Sequence, residues 1–225
     1  MNDSIPKNNE PIGRTADKPF GIQHDPYSYF GPHYLSPKRL SSYGYQFKLA
    51  METNSKSFLN VGSANFILKQ LLEKQNRSVL DLDIDFLTKP DIIGALPFLP
   101  FPDKSLDVVM CFQMLEHLPF NNLGSCIKEI KRIAKEYILL SLPDRTRSKS
   151  QIAMYFIYRI LKHPLYWRKY QLIPIFKEHF WEIGHSNITE DTLLCVIRKE
   201  GLEVVKHFRN PYYSYHHFFV LAVPT

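Results

Sequence analysis

The sequence predicts an α/β protein built around a mainly parallel β-sheet. From residue 57 onward, strand-like hydrophobic runs alternate with segments whose apolar residues recur at helical spacing. Such alternation implies parallel strands joined by right-handed crossover helices. The chain has 225 residues, of which 44% are hydrophobic, so it can bury the core of a single domain.

The first unit of this pattern is a strand, a turn, a helix and a second strand. We predict the first strand at 57–61 and the helix at 65–74. Gly62 in the turn allows a tight reversal and a close approach of the backbone to a ligand. The second strand ends in the acidic run Asp81-Leu82-Asp83-Ile84-Asp85, which could present a carboxylate to a ribose hydroxyl. A structural turn without any ligand explains these residues equally well by themselves.

Capping residues predict two further helices. Ser36-Pro37 indicates a helix that runs towards Met51, with the serine as N-cap and the proline at the first helical position. Thr189 is predicted to cap a helix that ends near Gly201. The pair Asn210-Pro211 predicts a turn after which the last strand returns antiparallel.

Two segments depart from the regular pattern. Residues 1–35 are rich in Pro, Gly, Asn and Asp, so we predict an extended or partly disordered arm before a domain at 36–225. An insert at about 145–185 contains an apolar run at 154–161 that is too continuous for an amphipathic stripe. We expect this insert to form a lid over a ligand site or a surface for a partner.

Composition excludes several classes of protein. No run approaches the roughly 18 apolar residues of a membrane span, and the first six residues lack the features of a secretory signal. Cys111, Cys126 and Cys195 show no CxxC spacing, which predicts a reducing cytoplasm. The net charge of +6 is scattered and no nucleic-acid-binding motif accompanies it, so nucleic acid is not an expected partner.

Three consecutive motifs carry a family resemblance. They are Leu-Pro-Phe-Pro-Asp at 99–103, Ser-Leu-Asp-Val-Val-Met-Cys-Phe at 105–112 and Met-Leu-Glu-His-Leu at 114–118. In this order they resemble the central segment of class I S-adenosylmethionine-dependent methyltransferases of the type 11 kind. The resemblance extends from about Lys38 to the carboxyl end through similar residues at 129–133, 137–145, 201–205 and 217–221.

The resemblance implies both a fold and an activity. The expected fold is a Rossmann-like sheet of seven strands, mainly parallel with an antiparallel last strand and with helices on both faces. The expected activity is methyl transfer from S-adenosyl-L-methionine to a small-molecule or glycan acceptor, with O-methylation favoured over N-methylation. The alternatives are a non-catalytic binding or regulatory module with the same fold, and an enzyme that uses the cofactor for another reaction such as cyclisation.

The resemblance also assigns site residues. Gly62 would lie beside the methionine part of the cofactor, and Asp83 would accept hydrogen bonds from the ribose hydroxyls. The less favoured alternative is that Asp83 is a helix-capping or turn aspartate, and Asp81 and Asp85 are competing acids. His117 is the candidate general base, although it could be a helix-start or substrate-contacting histidine. The other cofactor-binding residues predicted in this way are Asn60, Ser63, Ala64, Ile84, Leu96 and Gln113.

Four positions depart from the family pattern. Ala64 and Phe66 replace its second and third glycines, Asn60 replaces an acid, and Ala95 replaces an aspartate that reads the adenine amino group. A lost hydrogen bond to that amino group costs on the order of 1 kcal/mol, which is about fivefold in affinity. We therefore predict a cofactor site that is weakened rather than abolished.

Aromatic and histidine-rich segments near the carboxyl end allow two interpretations. Residues 179–185 combine two histidines, an acid and aromatic rings, and could line the acceptor pocket or form a packed loop. Their spacing matches no familiar zinc site, so no metal is predicted. Residues 212–217 contain three tyrosines and two histidines, which we interpret as strand packing with some exposed tips.

Overall fold

The computed structural model describes residues 26–32, 34–146, 178–185 and 187–224. Within these residues the strands are β1 (Ser57–Val61), β2 (Ser78–Asp83), β3 (Ile92–Ile93), β4 (Leu106–Phe112), β5 (Ala134–Pro143), β6 (Glu203–Asn210) and β7 (Tyr213–Ala222). The helices are α1 (Pro37–Glu52), α2 (Ile67–Glu73), α3 (Leu123–Ile133) and α4 (Glu190–Lys199).

All seven strands belong to one sheet, in the order β3-β2-β1-β4-β5-β7-β6. The strands from β1 to β5 pair in parallel, whereas β7 is antiparallel to both β5 and β6. The predicted α/β fold, a mainly parallel seven-stranded sheet with an antiparallel last strand, is thereby confirmed.

Hydrophobic side chains cover both faces of the sheet. Phe58 and Met110 belong to a buried cluster that also contains residues of α1 and α2. On the opposite face, Val109 and Cys111 belong to a larger cluster with residues of α3 and α4. Successive residues of β4 therefore point to opposite faces, as a strand that is buried on both sides requires.

The two predicted helix starts differ in how they are capped. The side chain of Thr189 accepts a hydrogen bond from the backbone N–H of Thr192 at 3.1 Å, as expected of an N-cap. Ser36 has the extended backbone of an N-cap and precedes a proline, but its side chain makes no capping hydrogen bond to any residue that the structure describes. The fixed φ of Pro37 is therefore the local feature that favours the start of α1.

The segment before α1 is more compact than the predicted arm. Pro26–Phe30 form a 3-10 turn. The Tyr29 ring packs edge-on against Tyr34 at 5.1 Å, and the Phe30 ring lies 6.1 Å from that of Phe66. These aromatic contacts favour an ordered chain at residues 26–32, because packing the rings offsets the entropy lost on ordering; the arm at 1–35 as a whole stays a prediction.

Parts of two predicted segments lie outside the described residues. They are 1–25 of the arm and 147–177 of the insert, which includes the apolar run at 154–161. Among the described residues, no helix is both long enough and apolar enough to cross a membrane.

Candidate cofactor site

The candidate site lies where the parallel strands end. The carboxyl ends of β1, β2, β4 and β5 meet at one edge of the sheet, which is where ligands bind in open α/β sheets. Strand β7 runs in the opposite direction, and His216 near its start pairs in register with Pro143 at the end of β5. The first residues of β7 therefore reach the same edge.

Gly62 begins the turn after β1, and two features require a glycine there. Its φ is +74°, and a Cβ on this backbone would lie only 2.6 Å from Cγ of Met114. The Gly62 N–H donates to the carbonyl oxygen of Leu82 at 2.8 Å, which joins the turn to β2. A side chain at this position would therefore meet both backbone strain and a clash.

The next residues of the turn lie between α1 and β2. Ala64 has a φ of +52°, a left-handed conformation that a glycine would adopt with less strain, and its N–H donates to Oδ2 of Asp83 at 3.1 Å. The buried side chain of Asn65 donates to the Tyr43 hydroxyl at 2.5 Å and accepts from the Ile67 N–H at 3.2 Å. These contacts hold the turn against α1 and against the end of β2.

The three acids at the end of β2 have different surroundings. Asp81 is buried and accepts a hydrogen bond from Nδ2 of Asn60 at 2.9 Å. Burial raises the pKa of Asp81 to about 6, although the Asn60 hydrogen bond opposes this rise. Asp85 caps a short 3-10 turn by accepting from the Leu87 N–H at 2.9 Å. Asn60 thus pairs with Oδ1 of Asp81, Oδ2 of Asp81 has no hydrogen-bond partner among the described residues, and Asp85 serves a local turn.

Asp83 is the acid that lies at the edge of the site. It is half-buried, and its two oxygens accept from the N–H groups of Ala64 at 3.1 Å and Asp85 at 3.0 Å. Burial raises its pKa, while these backbone hydrogen bonds act in the opposite direction. Each carboxylate oxygen has a second lone pair, so the group can accept two further hydrogen bonds.

The side chains of the remaining candidate contact residues differ in how far they are exposed to solvent. Ile84 is 39% exposed and Phe98 is 83% exposed, whereas Leu96 is only 7% exposed and packs in the core. Leu96 can therefore offer a ligand no more than the edge of its side chain. Gln113 has a φ of +53° and donates from Nε2 to the Ser141 hydroxyl at 3.2 Å.

A small cleft of about 40 Å³ opens beside the turn. It is bounded by side chains of α1 and the segment before it, by the turn and by the carboxyl edge, including Arg39, Tyr43, Ser63, Ala64, Gln113 and His216. The Arg39 guanidinium lies over the Tyr34 ring at 4.3 Å. Nucleotide-sized ligands occupy pockets of roughly 300 Å³ or more, so a complete cofactor requires these side chains to move apart.

Two lining residues, His216 and Arg39, were not predicted as site residues from the sequence. His216 is 3% exposed, and neither ring nitrogen has a hydrogen-bond partner among the described residues. Burial lowers the pKa of His216 to about 3, so the ring is neutral at pH 7. The sequence indicated only that His216 lies near the start of the last strand and that Arg39 lies in the first turn of α1.

His117, the predicted general base, lies on the 3-10 turn Leu115–His117 after β4. Its Nδ1 is 3.0 Å from the carbonyl oxygen of Glu178, and its ring meets His179 edge-on at 4.8 Å. His117 thus contacts the 178–185 loop, whereas His216 lines the cleft. The neighbouring Glu116 is fully buried, and burial raises its pKa to about 8.

The 178–185 loop is fixed to the sheet by backbone and side-chain hydrogen bonds. The Phe180 N–H donates to the Glu116 carbonyl at 2.8 Å, and Nε1 of Trp181 donates to the Leu118 carbonyl at 3.0 Å. The Arg145 N–H donates to the Ile183 carbonyl at 2.8 Å, and the Ile183 N–H donates to the Pro143 carbonyl at 3.0 Å. Residues 179–185 are therefore a packed loop, one of the two interpretations of the sequence.

Glu182 is the buried centre of this loop. The Tyr215 hydroxyl donates to its Oε1 at 2.8 Å, Nδ1 of His179 lies 2.8 Å from the same oxygen, and Arg145 donates to Oε2. Burial would raise the pKa of Glu182, but the hydrogen bonds from His179, Arg145 and Tyr215 lower it. The carboxylate therefore fixes the orientation of the His179 ring.

Comparison with known proteins supports the same fold. A family model described as a methyltransferase domain matches residues 59–137, which span β1 to the first part of β5. No curated protein matches the chain.

Solved structures resemble the chain over most of its length. A protein from Pyrococcus horikoshii OT3 matches with a TM-score of 0.61 and 15% identity, covering 90% of this chain and 100% of that one. A SAM-dependent methyltransferase from Archaeoglobus fulgidus matches with a TM-score of 0.58 and 14% identity, covering 88% and 100%. Magnesium protoporphyrin IX methyltransferase from Synechocystis PCC 6803, crystallised with bound SAH, matches with a TM-score of 0.56 and 14% identity, covering 83% and 85%.

The sheet order and these matches define the class of the protein: it has the class I methyltransferase fold. The family model agrees with the resemblance of the motifs at 99–118, and its match covers residues 59–137.

Proposed function

We propose that the protein transfers a methyl group from S-adenosyl-L-methionine to a small-molecule or glycan acceptor, with an oxygen as the favoured methyl-accepting atom. The observation that carries this proposal is the placement of Asp83. Its half-buried carboxylate ends β2, is hydrogen-bonded to the turn at Ala64, and keeps lone pairs for the two ribose hydroxyls. The bound SAH in the magnesium protoporphyrin IX methyltransferase supports the choice of cofactor.

The residues at the edge of the sheet fit the parts of this cofactor. Asp83 would hold the ribose, and the turn from Gly62 to Ala64 would pass beside the methionine part. Arg39 brings a guanidinium into the cleft, where it could pair with the methionine carboxylate. Ile84 and Phe98 offer exposed apolar surface for the adenine, in place of the aspartate that is absent at Ala95. When bound, the cofactor supplies an electrophilic methyl group on a sulfonium.

His216 is suited to receive the acceptor hydroxyl. Its neutral ring lies in the cleft with lone-pair capacity that no described residue uses. A hydrogen bond from the hydroxyl to this ring would orient an oxygen lone pair, which is the positioning that methyl transfer needs. The hydroxyl proton becomes strongly acidic as the new bond to oxygen forms, so even a histidine with a low pKa can accept it.

Calorimetric titration of the full chain with S-adenosylmethionine and SAH tests the proposal directly. We expect saturable heat for both ligands, and no heat at millimolar ligand would overturn the proposal. Incubation with cell extract, followed by mass spectrometry for products heavier by one methylene unit, then identifies the acceptor.

His216→Asn tests the assigned role of the ring. We expect SAH affinity to stay within about twofold while turnover falls by about 100-fold or more, the usual effect of removing a general base. His207→Asn makes the same change on edge strand β6 and should leave turnover unchanged. Equal turnover in wild type and His216→Asn would remove His216 from the mechanism.

A non-catalytic binding module is the alternative function. Two observations favour it: the cleft is small, and Ala64 holds a left-handed conformation in place of a glycine. The mass-spectrometric assay separates the two functions, because a non-catalytic module that binds the cofactor weakly or not at all forms no methylated product.

A further inference from the structure

Glu116 presents an unusual buried carboxyl group. Its side chain is fully buried, and neither carboxylate oxygen has a hydrogen-bond partner among the described residues. Burying a polar group without a partner costs free energy, and unsatisfied buried groups are rare in folded proteins. The missing partner of Glu116 therefore needs a physical explanation.

Two imidazoles lie beside this carboxyl group. One carboxylate oxygen of Glu116 and one ring nitrogen from each of His117 and His179 lie within 4.8 Å of one another. The Phe180 N–H donates to the Glu116 carbonyl at 2.8 Å, which holds the loop carrying His179 against the turn carrying the other two residues. His179 is distant in sequence from the adjacent Glu116 and His117, yet a direct backbone contact fixes their relative positions.

The outer hydrogen bonds of both rings match those of metal-binding histidines. Nδ1 of His117 lies 3.0 Å from the Glu178 carbonyl oxygen, and Nδ1 of His179 lies 2.8 Å from the Glu182 carboxylate. A carbonyl oxygen can only accept, so it places the His117 proton on Nδ1; the Glu182 carboxylate favours the same tautomer for His179. Carboxylates and carbonyls that hold a ring in this way typically support metal ligands.

We propose that Glu116, His117 and His179 bind a divalent transition-metal ion of the Zn²⁺ or Mn²⁺ kind. Two imidazoles with one carboxylate favour these ions over Mg²⁺ and Ca²⁺, which prefer ligand sets made of oxygen. Bonds of about 2.0–2.2 Å to the metal require the three ligand atoms to move closer together by roughly an ångström. The ion supplies the partner that the buried Glu116 oxygens lack.

Three protein ligands leave a coordination position open. Arg39, which lines the cleft, acts electrostatically on Glu116. An oxygen atom of the methyl acceptor would fit this open coordination position. This part of the proposal rests on the proposed methyl transfer. Metal binding itself requires neither the cofactor nor the acceptor.

A second group of possible ligands serves as an internal comparison. Glu190, His207 and His217 also come close together, but among the described residues none of their buried side-chain atoms lacks a hydrogen-bond partner. Nδ1 of His217 lies 2.8 Å from Oδ2 of Asp144, and its Nε2 lies 3.1 Å from Nδ1 of His207. Without an unsatisfied buried group, this cluster carries no metal proposal.

The test is calorimetric titration of the full chain, first treated with chelator and dialysed, with ZnCl₂, MnCl₂ and CoCl₂. We expect saturable binding of one ion per chain, and the visible spectrum of the Co²⁺ form reports nitrogen and oxygen ligands. Glu116→Gln and His179→Asn should each weaken Zn²⁺ binding by at least about 100-fold, because each removes one of three ligands. MgCl₂ and CaCl₂ should bind far more weakly.

His207→Asn is the matched control and should bind Zn²⁺ within about twofold of wild type. Circular dichroism verifies that each variant is folded. If Glu116→Gln does not fold, the Zn²⁺ affinity of His179→Asn alone tests the proposal. Absence of saturable binding, or equal affinity in wild type and His179→Asn, overturns the proposal. Loss of binding in His207→Asn alone places the ion in the other cluster and also overturns it. SAH titration of the metal-free chain tests the proposed methyl transfer separately, so the two failures are distinguishable.

Discussion

The backbone N–H of Ala64 donates a hydrogen bond to Oδ2 of Asp83 at 3.1 Å. The acid assigned to the ribose therefore also stabilises the turn that would hold the methionine part of the cofactor. Through this contact, a change in either residue acts on both halves of the candidate site.

Replacing Asp83 with Asn should weaken both cofactor binding and the turn. The neutral amide loses charge-assisted hydrogen bonds of about 1.5–3 kcal/mol, so SAH affinity should fall by about 10- to 100-fold. Calorimetric titration measures the change. Asp103→Asn removes a carboxylate that is exposed and paired with Arg132, and it should leave SAH affinity unchanged. Unaltered affinity in Asp83→Asn would refute the ribose assignment.

Replacing Ala64 with Gly should stabilise the protein slightly. The left-handed φ of +52° costs an alanine about 1–2 kcal/mol, while the glycine loses about 0.5–1 kcal/mol through the greater freedom of the unfolded chain. The free energy of unfolding in urea should therefore rise by about 0.5 kcal/mol. The same change at Ala50, inside α1, should lower it by about 1 kcal/mol. A destabilised Ala64→Gly variant would show that the methyl group at this position is itself required.

Replacing Arg39 with Gln should weaken only ligands that carry the methionine carboxylate. Loss of a charged hydrogen bond of about 1.5–3 kcal/mol predicts at least a tenfold lower affinity for SAH. 5′-Methylthioadenosine lacks this carboxylate and should bind equally to wild type and variant. An equal loss for both ligands in calorimetry would mean that Arg39 shapes the cleft rather than pairing with the carboxylate.

His216 should make folding stability depend on pH. Its pKa is about 3 in the folded protein and about 6.5 when unfolded, so below pH 6.5 the unfolded chain binds the proton that the folded protein excludes. Stability should fall as pH decreases from 6.5 towards 3, with a contribution of about 2 kcal/mol between pH 7 and pH 5. Urea unfolding of wild type and His216→Leu at both pH values measures this contribution. Identical pH dependence in the two proteins would contradict a buried neutral ring.

Local patterns in the sequence predicted much of the fold. A run of hydrophobic, strand-favouring residues located β1, and Thr189 marked the start of α4 through a capping bond that the structure contains. Ser36 marked a helix start correctly, but its expected capping bond is absent among the described residues. Hydrophobic periodicity and helix capping depend on residues that are close in sequence, so helices and strands could be predicted from them.

The candidate site depends instead on contacts between distant residues. His216 reaches the cleft only because β7 pairs antiparallel with β5, in a register that places it opposite Pro143. His179 meets Glu116 only through a loop whose hydrogen bonds join it to the turn after β4. Spacing along the chain contains neither relationship, so the sequence indicated neither the place of His216 in the cleft nor the proximity of His179 to Glu116.

Backbone hydrogen bonds join Ile183 to both Pro143 and Arg145. They join the chain on either side of residues 147–177, so the two junctions of that segment are held side by side by the sheet. Residues 143–145 and 183 are thus held together by groups that every amino acid except proline carries, so their relative position does not depend on the side chains at these positions.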